Sequence, residues 1–286
     1  MGVSKARTAF VMAGGGSLGA VEVGMLRALL DGGVAPDFVV GASAGAINGA
    51  VFASDPTSGG VARLTDIWCA LKRRDLFPFS FANIFGLLTG RDHACGHDGL
   101  RRLLQRHLPY RTLEEAALPI HVVASDLVSG DEVLLSSGDA IEAVLASAAI
   151  PGVFPPVKVA GRLLVDGGVA NNTPISSAIR LGATRVLVLP TGFACALRQV
   201  PSNAIARAMH ALSLLVVRQL LNDIEHYRHV IDLHVVPSLC PLETSPYDYS
   251  ASASLIDRAA ETTRTWLDGG GLDRNETPMQ LHVHTH

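Results

Sequence analysis

Charge is scarce in this chain. Only 17% of its 286 residues are Asp, Glu, Lys or Arg, against about 25% in an average soluble domain. The 23 basic side chains are balanced by 26 acidic ones, so no overall field is left to hold a polyanion by counter-ion release, and nucleic acid is excluded as a main ligand. Cysteine is sparse as well. Cys69, Cys95, Cys195 and Cys240 are too far apart for a CxxC redox or zinc pair and too few for a disulfide scaffold, and they read as thiols in a reducing compartment. Long apolar runs are missing: no stretch reaches the ~18 uninterrupted apolar residues of a membrane-spanning helix. The apolar stretch behind Lys5 and Arg7 runs into Gly14-Gly15-Gly16 and reads as a first strand rather than as the core of a secretory signal. The expectation is a cytoplasmic chain that meets any lipid peripherally, from the surface.

What is plentiful is apolar side chain, 48% of residues, enough for a large core. Thr8 to Ala13, a glycine cluster and a helical pattern over Leu18 to Leu30 are followed by Phe38-Val39-Val40 and a small-residue helix through about Phe52. This is the start of a parallel sheet. Further strands are expected at Ile120 to Ala124, Val133 to Leu135, Val157 to Ala160, Leu163 to Val165, Val186 to Leu189 and Ile231 to Val236. Helices are expected at Val61 to Leu71, Gly99 to His107, Ala140 to Ala146, Ile175 to Leu181, Ala204 to Asp223 and Ser254 to Trp266. No linker, repeat or low-complexity break interrupts the alternation. It predicts one α/β domain over residues 1–286, with helices on both faces of a mainly parallel sheet. The tail after Gly269-Gly270-Gly271, with His282, His284 and His286 in no recognisable ligand set, is expected to fray.

Gly14, Gly16 and Gly19 satisfy GxGxxG between a strand and a helix, as in a dinucleotide-binding fingerprint. That reading also needs an acidic residue at the end of the second strand, and Asp37 lies before that strand, not after it. Alternatively, consecutive glycines at a helix N-terminus turn successive N–H groups into one space, a site for a phosphate or a developing oxyanion. Gly41-Ala42-Ser43-Ala44-Gly45 is GxSxG between strand and helix, the context of a nucleophile elbow, with Gly41 and Gly45 allowing the sharp turn. Gly16 and Ser43 are 27 residues apart, one helix and one strand, so adjacent parallel strands place the glycine N–H groups beside the serine. The residues leave the general base open. His234 lies inside an apolar strand, where a structural histidine is the ordinary reading. Asp166 ends Leu163-Leu164-Val165 and precedes Gly167-Gly168, which reads equally as a turn or as a base.

These motifs, Gly14-Gly15-Gly16 with Gly19, then Gly41-Ala42-Ser43-Ala44-Gly45, then Asp166-Gly167-Gly168, together resemble the patatin-like phospholipase family. Ala146-Ser147-Ala148-Ala149-Ile150-Pro151 resembles the family's ASxAxP stretch, and the likeness covers about residues 7–190. The resemblance implies a three-layer α/β/α fold and a Ser43–Asp166 dyad without histidine. It also implies an oxyanion hole from the backbone of Gly14, Gly15 and Gly16, and hydrolysis of lipid acyl esters with neither calcium nor another cofactor. The family commonly has Arg or Lys where this chain has Leu18, so the cation that would attract an anionic head group is missing there.

Leu76 to Leu88 holds four of the nine phenylalanines and no charge. It suits either a lid or lipid-contact surface between Arg73-Arg74 and Arg91, or a segment packed on the core. Met209 to Leu221 reads as core or as a dimer face. Two rival functions stand beside the dyad hydrolase: an α/β hydrolase with a Ser-His-Asp triad, and a non-catalytic nucleotide- or acyl-binding module.

Overall fold

The apolar runs become the centre of one sheet. The computed structural model describes residues 6–76, 93–192, 204–246, 248–274, 277, 278 and 281, and the backbone alone for 204–210 and 212. Its eight strands are β1 (Thr8–Met12), β2 (Phe38–Ala42), β3 (Ile120–Asp126), β4 (Glu132–Leu135), β5 (Val157–Val159), β6 (Arg162–Asp166), β7 (Arg185–Leu189) and β8 (Asp232–Val235). Hydrogen-bonded neighbours follow the path β5-β6-β3-β2-β1-β7-β8, with β4 also on β3. The five strands β3, β2, β1, β7 and β8 are parallel. Every residue of β2, and all but the first of β1 and β7, is buried. Sheets covered by helices on both faces have such strands, apolar throughout rather than alternating.

The helices are α1 (Gly19–Asp31), α2 (Ala44–Ser54), α3 (Ser58–Ala70), α4 (Arg73–Leu76), α5 (Asp98–His107), α6 (Ala140–Ser147), α7 (Gly168–Asn171), α8 (Ile175–Arg180), α9 (Ala204–Tyr227) and α10 (Ser252–Asp268). One core joins α1, α2, α3, α5, α6 and α10 to one face of the sheet. The other joins α8 and the Leu220 and Ile224 side of α9 to the opposite face. Gly24 lets α1 and α10 touch, since a Cβ there would collide with the Ile256 carbonyl. On α9, Leu220 and Ile224 are buried while Leu215 is exposed, so the core reading holds for that helix's inner side.

All eight strands expected from the sequence are present, within a residue or two of their expected limits. The expectation of a frayed end fails at two places. Gly271–Asp273 forms a 3-10 turn whose first glycine lies against the Trp266 ring, and Leu281 is buried in the second core. An apolar anchor ten residues past Gly271 holds the chain there. His282, His284 and His286 lie outside the described residues.

Candidate active site

Strand register puts three loops at one level. Met12 pairs with Gly41 on one side and Leu189 on the other, so Gly14, Ser43 and Thr191, each two residues further on, leave the sheet side by side. The fourth contribution arrives from the opposite direction. β4 and β2 take opposite edges of β3, because both pair with Val122 and Val123. β6 pairs antiparallel with Ala124 and Ser125, which β4 also flanks, so β6 shares β2's edge. Ala42 ends β2 opposite Val123, and Asp166 ends β6 opposite Ala124. The two strands meet end to end, which brings Ser43 onto Asp166.

Ser43 sits at φ 52° and ψ −119°, a conformation costing a non-glycine residue roughly 1–3 kcal/mol. It is held by crowding that only glycines permit. A Cβ on Gly41 would strike the Gly45 carbonyl, and one on Gly45 the Met12 carbonyl. The Ser43 N–H donates to Ser147 Oγ at 2.9 Å, and that hydroxyl donates in turn to Val123 O at 2.5 Å. Ser147, within the ASxAxP-like stretch, therefore ties the elbow to β3.

The Ser43 hydroxyl donates to Asp166 Oδ2 at 2.7 Å, and Gly168 N–H donates to Oδ1 at 2.8 Å. Ser125 fixes the Asp-Gly-Gly turn by donating to Asp166 O and accepting from Ala170 N–H. Burial raises the Asp166 pKa to about 6, against the lowering effect of the Ser43 and Gly168 hydrogen bonds. A carboxyl at that level is ionised at neutral pH yet retains appreciable proton affinity, as general-base catalysis requires.

The glycine loop passes directly over the serine. A Cβ on Gly14 would lie 3.1 Å from Ser43 Cβ and collide with Asn172 Oδ1. The Gly14 N–H, however, donates to Asn172 O at 3.0 Å, and the Gly14 carbonyl accepts from Thr191 Oγ1 at 2.9 Å and Asn172 Nδ2 at 3.2 Å. Gly14 is therefore a fixed anchor rather than an oxyanion donor, which corrects the expectation that all three glycines donate. The N–H groups of Gly15 and Gly16 are left as the loop's candidates. Gly16, at φ 59°, is pressed against Pro246 O, to which Ser17 N–H donates at 2.8 Å. The C-terminal third, which carries no motif, thus supports the loop.

Behind Ser43 and Gly16 opens a narrow apolar cavity between α2, α3 and α5. Its walls include Ile47, Val51, Leu64, Trp68, Leu104 and Tyr249. Leu76 is buried and lines it as well; the rest of the phenylalanine-rich segment, 77–88, lies outside the described residues. Leu18 is buried in the core, so its position presents nothing to the site. Asp37 accepts from Thr8 N–H at the far end of the strands, away from the glycine loop. His234 does not join the site: it lies on β8, beyond β7 and β1 from Ser43, with Nε2 2.7 Å from Asp232 Oδ1. Among the described residues no three His, Cys, Asp or Glu side chains form a metal site, and no helix is long and apolar enough to cross a membrane.

The family model described as patatin-like phospholipase matches residues 10–179. The chain belongs to the patatin-like phospholipase family. Among similar sequences, a patatin-like phospholipase domain-containing protein of Caenorhabditis elegans is 32% identical over 193 residues, 64% of this chain and 16% of that protein. An uncharacterized NTE family protein of Mycobacterium tuberculosis is 32% identical over 165 residues, 57% of this chain and 27% of its own length. Patatin-like phospholipase domain-containing protein 6 of Homo sapiens is 28% identical over 188 residues, 64% of this chain and 13% of that protein. The chain thus spans a minor part of each of these relatives. Among solved structures, VipD from Legionella pneumophila aligns over 93% of this chain and 67% of its own at 14% identity and a TM-score of 0.42. ExoU of Pseudomonas aeruginosa, in complex with SpcU, aligns over 93% and 52% at 17% identity and a TM-score of 0.46.

The sequence motifs named Ser43, Asp166 and the glycines, and the structure brings these together. Ser147 stands in the ASxAxP-like stretch without a readable role of its own, and Ser125, Asn172 and Thr191 belong to no motif. Each is a small polar residue at a strand or helix end, a type too common in turns to stand out without its partner.

Proposed function

We propose that this protein is a serine hydrolase of lipid acyl esters. The observation that carries the reading is the Ser43 hydroxyl bonded to the buried Asp166 at 2.7 Å, at the mouth of an apolar cavity. Ser43 Oγ attacks the ester carbonyl carbon while its proton passes to Asp166 Oδ2. The carbonyl oxygen becomes the oxyanion, facing the Gly15 and Gly16 N–H groups beside the N-terminus of α1. Collapse of the tetrahedral intermediate breaks the ester C–O bond, and the leaving alcohol takes the proton from Asp166. Water then gives a proton to Asp166 and attacks the acyl-Ser43 carbonyl. The fatty acid departs, and the proton returns to Ser43 Oγ. The cavity houses the acyl chain; among the described residues its lining holds no Asp, Glu, Lys or Arg to bind a head group. The site draws on β1 through Tyr249, which supports reading residues 1–286 as one domain.

The test is a hydrolysis screen of p-nitrophenyl esters, lysophospholipids and diacyl phospholipids, with Ser43→Ala as the blank, beside labelling by a fluorophosphonate. Hydrolysis and labelling that both depend on Ser43 are expected; a protein that neither hydrolyses any of these nor takes the label sinks the reading. Gly14→Ala tests the loop separately. Its methyl group must displace Asn172 or Ser43, shifting the neighbouring donors, and kcat is expected to fall about a hundredfold or more, as when an oxyanion donor is lost. Wild-type kcat in Gly14→Ala would remove the loop from the reaction.

A further inference from the structure

Beneath the glycine loop runs a buried polar chain that the reaction steps do not use. Glu22 in the first turn of α1 and Asn48 on α2 are both completely buried. Asn48 Nδ2 donates to Glu22 Oε2 at 2.8 Å and to Gly19 O at 2.9 Å, while its Oδ1 accepts from Trp68 Nε1 at 2.7 Å. The Glu22 carboxyl also interacts with the backbone of Ala13, and its Oε1 has no hydrogen-bond partner among the described residues. Ala13 and Gly19 bracket the Gly14–Leu18 loop, so the chain reaches the loop at both ends.

The far end of the chain is a wall of the acyl cavity. The Trp68 ring lines the cavity, stacks on Tyr249 with centroids 6.1 Å apart, and lies 2.9 Å from where a Cβ on Gly19 would stand. A buried carboxyl is costly, and apolar side chains of similar volume would fill the space at less expense. Burial holds Glu22 well above the usual carboxylate range, against the hydrogen bonds that pull it down.

We propose that Glu22, Asn48 and Trp68 are positioning residues, through which the cavity wall holds the glycine loop at its working distance from Ser43. The proposal rests on the hydrolase reading of that site. Trp68→Phe keeps an aromatic wall but loses the Nε1–H that Asn48 Oδ1 accepts and shortens the ring edge that lies against Gly19. On p-nitrophenyl acetate, too short to fill the cavity, Trp68→Phe and Asn48→Ala are expected to lower kcat about tenfold or more with KM within about twofold, as misplaced oxyanion donors would. Glu22→Gln, which keeps the side-chain volume and an oxygen that accepts from Asn48 Nδ2, is expected to lower kcat less than Asn48→Ala does. Amide hydrogen exchange over Ala13–Gly19 is expected to quicken in Trp68→Phe and Asn48→Ala, but not in Ser43→Ala or Glu22→Gln. Wild-type kcat on the acetate together with unchanged exchange in Trp68→Phe would overturn the proposal, leaving Trp68 a wall that affects KM for long chains alone. A protein with no Ser43-dependent hydrolysis fails the hydrolase reading instead, and the exchange data still decide whether the wall holds the loop.

Discussion

Ser43→Ala is expected to lower kcat for ester hydrolysis by about ten-thousand-fold or more, the scale seen when a nucleophile is removed from a catalytic unit that acts together. The Ser43 hydroxyl is the group that Asp166 Oδ2 accepts from, and the neighbours Ala42 and Ala44 carry no nucleophile. The same position stores strain, so loss of activity should come with a gain in stability. At φ 52° and ψ −119° a side chain is disfavoured and glycine is not. Ser43→Gly is expected to raise the unfolding free energy by about 1–2 kcal/mol, or Tm by roughly 2–4 °C in a chain of this size. Kinetics on a p-nitrophenyl ester and a thermal melt check both halves. An active Ser43→Gly would disprove the nucleophile, and an inactive variant with a lowered Tm would show that the elbow is not strained.

That strain was legible only in outline. GxSxG after an apolar run announces a sharp turn, because glycines at both flanks have no other local use. The collisions that require them, with the Gly45 and Met12 carbonyls, belong to the packing of α2 across β1. The parallel strands were equally readable, since chains buried on both faces of a sheet carry unbroken apolar runs. The direction of β6 was not. An Asp-Gly-Gly turn has the same residues whether its strand runs with β2 or against it, and only pairing to Ala124 and Ser125 decides that β6 approaches β2 end to end. The engagement of Gly14 N–H with Asn172 O was hidden for a related reason. Backbone hydrogen bonds between residues 158 positions apart leave no mark on side-chain pattern, so the three glycines looked equivalent. Asn48 and Trp68 sit on helices where an isolated Asn or Trp suggests nothing, and their meaning comes from the 2.7 Å contact between them.

Asp166→Asn is expected to reduce kcat nearly as far as Ser43→Ala, with the fold intact. The amide oxygen can still accept from Gly168 N–H, but the amide nitrogen facing Ser43 donates and cannot take its proton. For the native protein the base must be ionised, and burial raises the Asp166 pKa to about 6. Thus kcat/KM is expected to be level above about pH 7 and to fall tenfold per pH unit well below about pH 6, whereas a solvated aspartate would place that limb near pH 4. The same shift acts on stability with a definite sign. Because the folded pKa lies above the unfolded value, the folded state holds a proton that the unfolded chain releases between about pH 4 and pH 6. Stability from this group therefore declines as pH rises through that window, by about 3 kcal/mol at most. Asp166→Asn, which cannot ionise, should flatten this part of the profile and be the more stable protein at pH 8. Denaturant unfolding of both proteins at pH 4 and pH 8, beside the kcat/KM profile, separates the possibilities. A rate limb near pH 4 would mean that Asp166 is solvated or is not the base. Parallel stability profiles for the two proteins would mean that the carboxyl carries no burial cost, and its role as a poised base would fall with it.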